Sequence, residues 1–130
     1  MITVKEKPEL VDASPSPHCL EKLRVLKQHF EIVDGEEEIL QLLTEDQELF
    51  VILIESVKPL GNAFGRKRVL QMTGQSSDDG LMLRVAVQLP AEIATEASGQ
   101  LHSFDQNWWL QNCRRTNGAL VFDCEIQDAV

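Results

Sequence analysis

Three neighbouring polar residues, His102, Ser103 and Asp105, are of the types that form a catalytic triad. A serine nucleophile needs a histidine within hydrogen-bonding reach as its base, and an aspartate that orients the histidine. Adjacent positions of a helix point in different directions, however, and no glycines of a nucleophile elbow surround Ser103. We therefore expect no triad here and catalytic residues nowhere in the chain.

The cysteines and the acidic run do not indicate a metal site. Cys19, Cys113 and Cys124 stand far apart, and no histidine lies at the spacing of a zinc site. The glutamates at 36–38 lack the spaced ligands and the glycine of a calcium loop, and they are typical of the first turn of a helix. We expect no metal and no cofactor, and three free thiols fit a reducing compartment.

Two carboxylates of the last predicted strand, Asp123 and Glu125, point to the same side of that strand because side chains alternate. A metal would need a further carboxylate from a neighbouring strand. The strand at 81–89 offers Arg84 and Gln88 instead, which favours a cross-strand pair between the carboxylates and the arginine.

Arg66, Lys67 and Arg68 form the one basic cluster of the sequence. The surrounding GNAFGRK differs from a phosphate-binding loop in its glycine spacing and has no Ser or Thr after the lysine. Two interpretations remain. The cluster either guards an edge strand with positive charge, which we favour, or contacts an anion. The net charge of −9 argues against binding to nucleic acid.

The candidate binding residues are Trp109, Asp105 and Arg115. Trp108 lies in an apolar helical stripe, and Trp109 is about 100° further round the helix, on its flank. Trp109 is either a satellite core residue under the following loop or an interface anchor, a role in which tryptophan is enriched. We expect Asp105, one turn earlier, to clamp the loop that contains Arg115.

The hydropathy pattern predicts the elements that position these residues. A proline-rich flexible tail at 1–17 precedes a single globular domain at 18–130. Apolar residues recur at helical spacing over 18–32, 35–43, 45–58 and 90–109, and they alternate over 66–73, 81–89 and 119–126. The prediction is an α+β fold with a small, mostly antiparallel three-stranded sheet and helices on one face.

The third helix carries an ambiguous apolar run, LFVILI at 49–54, which suits a buried helix or a buried strand. Thr44 and Gln47 stand at capping-box spacing just before it, which favours the helix. Pro59 predicts that this helix ends near Lys58.

The C-terminal stretch carries a recognisable signature: a helix ending in Phe-Asp-x-x-Trp-Trp, a spacer with an arginine and a glycine, and a terminal strand of the Phe-Asp-x-Glu type. It resembles the C-terminal signature of a family of small uncharacterised bacterial proteins. The resemblance extends loosely back to residue 36, implies an α+β fold and implies no activity. The matching residues are Phe104, Asp105, Trp108, Trp109, Arg115, Gly118, Phe122, Asp123 and Glu125.

Together these observations favour a non-enzymatic protein–protein interaction or regulatory module. A three-stranded sheet is small, which suggests that it is continued or covered in a homo-oligomer. The alternative is a small enzyme or ligand-binding protein with a pocket between sheet and helices near Asp105, Arg114 and His102.

The sequence also indicates where the chain resides. No apolar run approaches the ~20 residues of a membrane helix, and the N-terminus lacks the apolar segment of a signal peptide. We expect a cytoplasmic protein whose partner is itself or another protein, and neither a membrane nor a nucleic acid.

Overall fold

The structure, a computed structural model, describes residues 17–127 of the chain. The predicted tail therefore lies outside the described residues up to residue 16. The elements are, in order, α1 (Pro17–Lys27), β1 (Glu31–Asp34), α2 (Glu36–Glu45), α3 (Gln47–Phe64), β2 (Leu70–Ser77), β3 (Gly80–Pro90), α4 (Ala94–Phe104), a π-helical turn (Asp105–Trp109), α5 (Leu110–Asn112) and β4 (Leu120–Gln127). Short 3-10 turns, Ala91–Ile93 and Cys113–Thr116, precede α4 and follow α5.

The strands form one mixed sheet in the order β1-β2-β3-β4. β1 pairs with β2 in parallel, β2 with β3 antiparallel, and β3 with β4 in parallel. The α+β class and the β2–β3 hairpin are confirmed. The predicted three-stranded, mostly antiparallel sheet is wrong, because the sheet has a fourth strand and two parallel pairs.

The missed strand is β1, which the sequence pattern assigned to the helix at 18–32. Phe30 continues the helical spacing from Leu26, and both side chains are buried in the core. The helix nevertheless ends at Lys27. β1 is four residues long and packs only Ile32 against the core, so it is too short to show an alternating pattern.

The predicted end of α3 near Lys58 is also wrong. A proline inside a helix removes one backbone hydrogen bond and crowds the preceding turn. Here α3 continues through Pro59, because Leu60 and Phe64 beyond it are both buried in the core. LFVILI is helical as predicted, but Asp46 rather than Thr44 caps the helix and accepts the Glu48 N–H at 3.1 Å.

The helices pack on one face of the sheet, which we call the inner face. The single core cluster joins buried helix residues to the inner-face residues of three strands, Met72, Leu83, Val85, Val87, Leu89 and Phe122. The opposite side chains form the outer face. They comprise Glu31, Gln71, Thr73, Met82, Arg84, Ala86, Gln88, Val121, Asp123 and Glu125. Of these outer-face residues, Ala86 and Gln88 are buried, and the others are partly or fully exposed.

A close glycine contact holds β1 and α2 against the sheet. Gly35 has a φ of 73°, and a Cβ atom on it would lie 2.0 Å from the carbonyl oxygen of Gly74 in β2. Residues with a side chain rarely adopt such a φ, and no side chain fits at that distance. The turn before α2 can therefore dock onto β2 only with glycine at this position.

Candidate functional site

The outer face of the sheet is organised around Arg84 in β3. The parallel register brings β4 alongside, so that Arg84 donates from Nη1 to Glu125 Oε2 at 2.9 Å and from Nη2 to Asp123 Oδ2 at 3.1 Å. This confirms the cross-strand pair that the sequence favoured. One cation is thus shared by two carboxylates and cannot offer its full charge to a ligand.

Two glutamines complete the outer-face network. Gln88 donates to Glu125 Oε1 at 2.9 Å, and Gln127 donates to the Gln88 side-chain oxygen at 3.1 Å. The hydrogen bonds from Gln88 and Arg84 lower the pKa of the Glu125 carboxyl. Glu31 at the other end of the sheet accepts a hydrogen bond from Gln71 at 2.8 Å. The polar groups of this face are therefore largely satisfied within the chain.

Apolar atoms lie between these polar groups. Val121 is 40% exposed, Met82 is half-buried and Ala86 is buried at the base of the face. Protein interfaces are no more apolar than the average protein surface, and they mix such residues with satisfied polar groups. The outer face therefore combines exposed apolar side chains with polar groups that are already hydrogen-bonded within the chain.

The two tryptophans lie on the inner side of the sheet, against Phe122. The centroid of the Trp109 ring is 4.8 Å from that of Phe122, and the centroid of the Trp108 ring is 6.2 Å from it. In a π-helical turn residues five apart come into line, and the Leu110 N–H bonds the Asp105 carbonyl in this way. Phe104 and Trp109 are five apart, and both rings pack against Phe122. The position predicted for Trp109 assumed a regular helix with about 100° of rotation per residue, which does not hold in a π-helical turn.

Arg115 fastens the turn after α5 to α3. Its Nε donates to Glu48 Oε2 at 3.2 Å, and its Nη1 donates to Glu55 Oε1 at 3.0 Å and to Asn112 Oδ1 at 3.0 Å. Asp105 has no part in this clamp, and its carboxylate accepts no hydrogen bond from the described part of the chain. Burial raises the pKa of the Asp105 carboxyl, partly offset by nearby His102.

The triad residues do not assemble. Ser103 Oγ accepts a hydrogen bond from Asn107 at 3.1 Å and is not bonded to His102. Ser103 and Asn107 line a small cavity of about 180 Å³ against α3, with Trp108 on its wall. His102, Asp105 and Arg114, the residues of the alternative pocket, do not line this cavity.

A larger groove of about 570 Å³ lies between the end of α1, the second half of α3 and the start of β2. We call it the basic groove. Its ionisable lining residues are His29, Lys58, Arg66 and Arg68, and no carboxylate lines it. The basic cluster thus precedes β2, which is an interior strand, so its predicted role as guard of an edge strand is wrong.

The sequence located only part of the basic groove. Arg66 and Arg68 were visible as a cluster, whereas His29 and Lys58 are distant in sequence and reach the groove through the docking of α1 and α3. The sequence pattern ended α3 near Lys58. Because the helix continues through Pro59 to Phe64, Lys58 lines the same groove as Arg66 and Arg68.

Further chemistry is limited in the part of the chain that the structure describes. Between residues 17 and 127, no group of three His, Cys, Asp or Glu side chains could hold a metal ion. In this same range, Cys19, Cys113 and Cys124 form no disulfide, and burial raises the pKa of the Cys124 thiol. None of the described helices combines the length and the apolar character needed to cross a bilayer.

Comparison with known proteins leaves the geometry as the basis for function. No family model, no curated protein and no solved structure matches the chain.

Proposed function

We propose that this protein is a non-enzymatic interaction module that self-associates through the outer face of its sheet. The observation that carries the proposal is the partly exposed outer face, on which Arg84 is already paired with Asp123 and Glu125. Covering such a face removes its ions from water, and the hydrogen bonds that these groups keep with one another offset part of that cost.

A second copy of the chain is the partner that suits this face best. Arg84 with its two carboxylates offers both signs of charge on one patch, which is what a two-fold symmetric contact requires of each copy. The resemblance of the C-terminal stretch to small bacterial proteins is compatible with such a module and adds no activity to it.

The area of the face sets the expected affinity. Four strands spaced by about 4.8 Å and averaging some 25 Å in length give a face on the order of 500 Å². Stable complexes bury about 800 Å² on each partner. We therefore expect a dimer that dissociates on dilution rather than a permanent one.

The role of Trp109 follows from its packing. Its contact with Phe122 lies on the inner side of the sheet. It supports the core beneath β4 and is not the anchor of the proposed interface.

Sedimentation analysis of three variants tests the location of the interface. Val121→Glu adds a carboxylate to the outer face beside Asp123 and Glu125, and should abolish the dimer while leaving the fold intact. Val51→Glu is the matched control, because Val51 is also 40% exposed but lies on helix α3. It should leave the dimer unchanged.

Trp109→Ala should lower stability and keep the capacity to dimerise. Circular dichroism on each sample checks the fold. Loss of the dimer in Val51→Glu, or its persistence in Val121→Glu, would contradict an interface on the outer face.

A further inference from the structure

The basic groove concentrates positive charge in an acidic protein. The chain carries a net charge of −9, yet the groove is lined by Lys58, Arg66, Arg68 and His29 and by no acidic side chain. A cavity lined by one sign of charge focuses the electric field and raises the local concentration of counter-ions. The electrostatics of the groove therefore favour an anion.

The cations of the groove are unpaired, unlike most others in the fold. Arg24, Lys27, Arg84 and Arg115 each form a salt bridge with a carboxylate. Lys58, Arg66 and Arg68 have no carboxylate partner anywhere between residues 17 and 127. A surface cation without a partner is ordinary, but here three cations line one cavity and no described carboxylate offsets their charge.

The end of helix α3 does not account for these cations. The helix dipole attracts positive charge to its C-terminus, and Arg68 Nε donates to the Phe64 carbonyl at 3.0 Å. The Gly65 N–H satisfies the Gly61 carbonyl at 2.9 Å. Lys58 and Arg66 donate to no carbonyl there, so the helix end occupies one cation and leaves two free.

The rest of the groove is lined by three apolar side chains, together with Gln28 and two glycines. Ile54 and Val57 of α3 and Leu70 of β2 line it, and all three are partly buried against the core. Its volume of about 570 Å³ lies within the range of roughly 300–1,000 Å³ that holds small organic ligands. A bare inorganic ion would leave these apolar walls and most of the volume without contact.

We propose that the basic groove binds a small organic phosphate, with the phosphate on Arg66 and Lys58 and an apolar body against Ile54, Val57 and Leu70. Guanidinium groups bind phosphate oxygens in a bidentate manner, and a lysine adds a compact point charge. A dianionic phosphate matches several unpaired cations better than a single carboxylate does. This site is separate from the proposed interface and gives the module a ligand.

Titration with phenyl phosphate, followed by NMR of the full chain, tests the proposal. We expect saturable shifts of backbone signals from residues 54–70, with a dissociation constant of about 1 mM or tighter. Arg66→Gln and Lys58→Gln should each weaken binding roughly tenfold, because each removes a charge-assisted hydrogen bond. Arg114→Gln is the matched control, since Arg114 is exposed, without a salt bridge in the described range, and outside the groove.

Two further probes separate the parts of the ligand. Inorganic phosphate should bind more weakly than phenyl phosphate because it lacks the apolar body, and benzoate more weakly because it carries a single negative charge. Absence of saturable shifts with phenyl phosphate would overturn the proposal. So would an equal loss of affinity in Arg114→Gln, or binding of either simpler probe as tight as that of phenyl phosphate. Each outcome is read from ligand shifts and does not depend on whether the chain dimerises.

Discussion

The outer face of the sheet and the basic groove treat positive charge in opposite ways. On the outer face, Arg84 donates hydrogen bonds to Asp123 and Glu125, and its charge links strand β3 to strand β4. In the groove, Lys58 and Arg66 line a cavity without a carboxylate. The number of cations in a region therefore says little about ligand binding. Whether each cation is paired within the chain decides whether its charge is available to a ligand.

Substitution of two glycines with positive φ should cause the greatest loss of folding stability. Gly35→Ala should lower the free energy of unfolding by more than about 3 kcal/mol, because the new Cβ would lie 2.0 Å from the Gly74 carbonyl oxygen. Gly65→Ala, beside the groove, should cost about 1–3 kcal/mol through its φ of 101° alone, since its nearest contact is Arg68 Nε at 3.9 Å.

Urea unfolding of both glycine variants measures the difference. A larger loss in Gly65→Ala than in Gly35→Ala would show that the β1–α2 contact is softer than the close approach to Gly74 implies.

A smaller effect should separate the two kinds of arginine. Arg84→Met leaves two neighbouring carboxylates without their cation and should destabilise the protein by about 1 kcal/mol, the upper range for partly exposed ion pairs. Arg66→Met removes no ion pair and should change stability by less than about 0.5 kcal/mol. Chemical denaturation at low and at high salt measures both, and salt should reduce the Arg84 effect because it screens the charges. Equal losses in the two variants would remove the distinction between paired and unpaired cations.

The smallest change expected is in how folding stability depends on pH. The carboxyls of Glu125 and Asp105 should contribute to it with opposite signs. The pKa of Glu125 is lowered in the fold by Gln88 and Arg84, so its stabilising contribution exists above the unfolded pKa of about 4.3 and is lost as the pH falls through the folded value. Glu125→Gln should therefore lower stability at neutral pH and flatten the loss in acid. The pKa of Asp105 is raised by burial, so its ionised form opposes folding above that pKa.

The matched variant for that pH dependence is Asp105→Asn. It should raise stability at neutral pH, and the gain should vanish below the unfolded pKa of about 3.9. Melting temperatures between acid and neutral pH provide the measurement. If the two variants shift stability in the same direction at neutral pH, the assigned causes of the pKa changes are incorrect.

The sequence predicted which residues lie on each face of the sheet, but it did not predict the number of strands. The alternation of β3 and β4 placed Phe122 inside and Asp123 outside, and it identified Arg84 as their neighbour, because a period of two is plain over eight or more residues. β1 was missed because four residues with one half-buried side chain carry no such pattern.

Predictions at the ends of helices failed where tertiary packing decided the outcome. Burial of Leu60 and Phe64 carries α3 past Pro59, and a π-helical turn at Asp105–Trp109 interrupts the helix predicted over 90–109. Neither effect is local, so propensity and helical spacing could not reveal it. The basic groove was out of reach for the same reason, since Lys58 joins Arg66 only when α3 continues.

If the paired outer face is an interface between two copies, the solution mass of the unaltered chain depends on its concentration. Light scattering over a dilution series should give a mass that rises from the 14.7 kDa of one chain towards twice that value as the concentration increases. A mass that stays at 14.7 kDa at every concentration would contradict self-association and leave the outer face without its proposed partner.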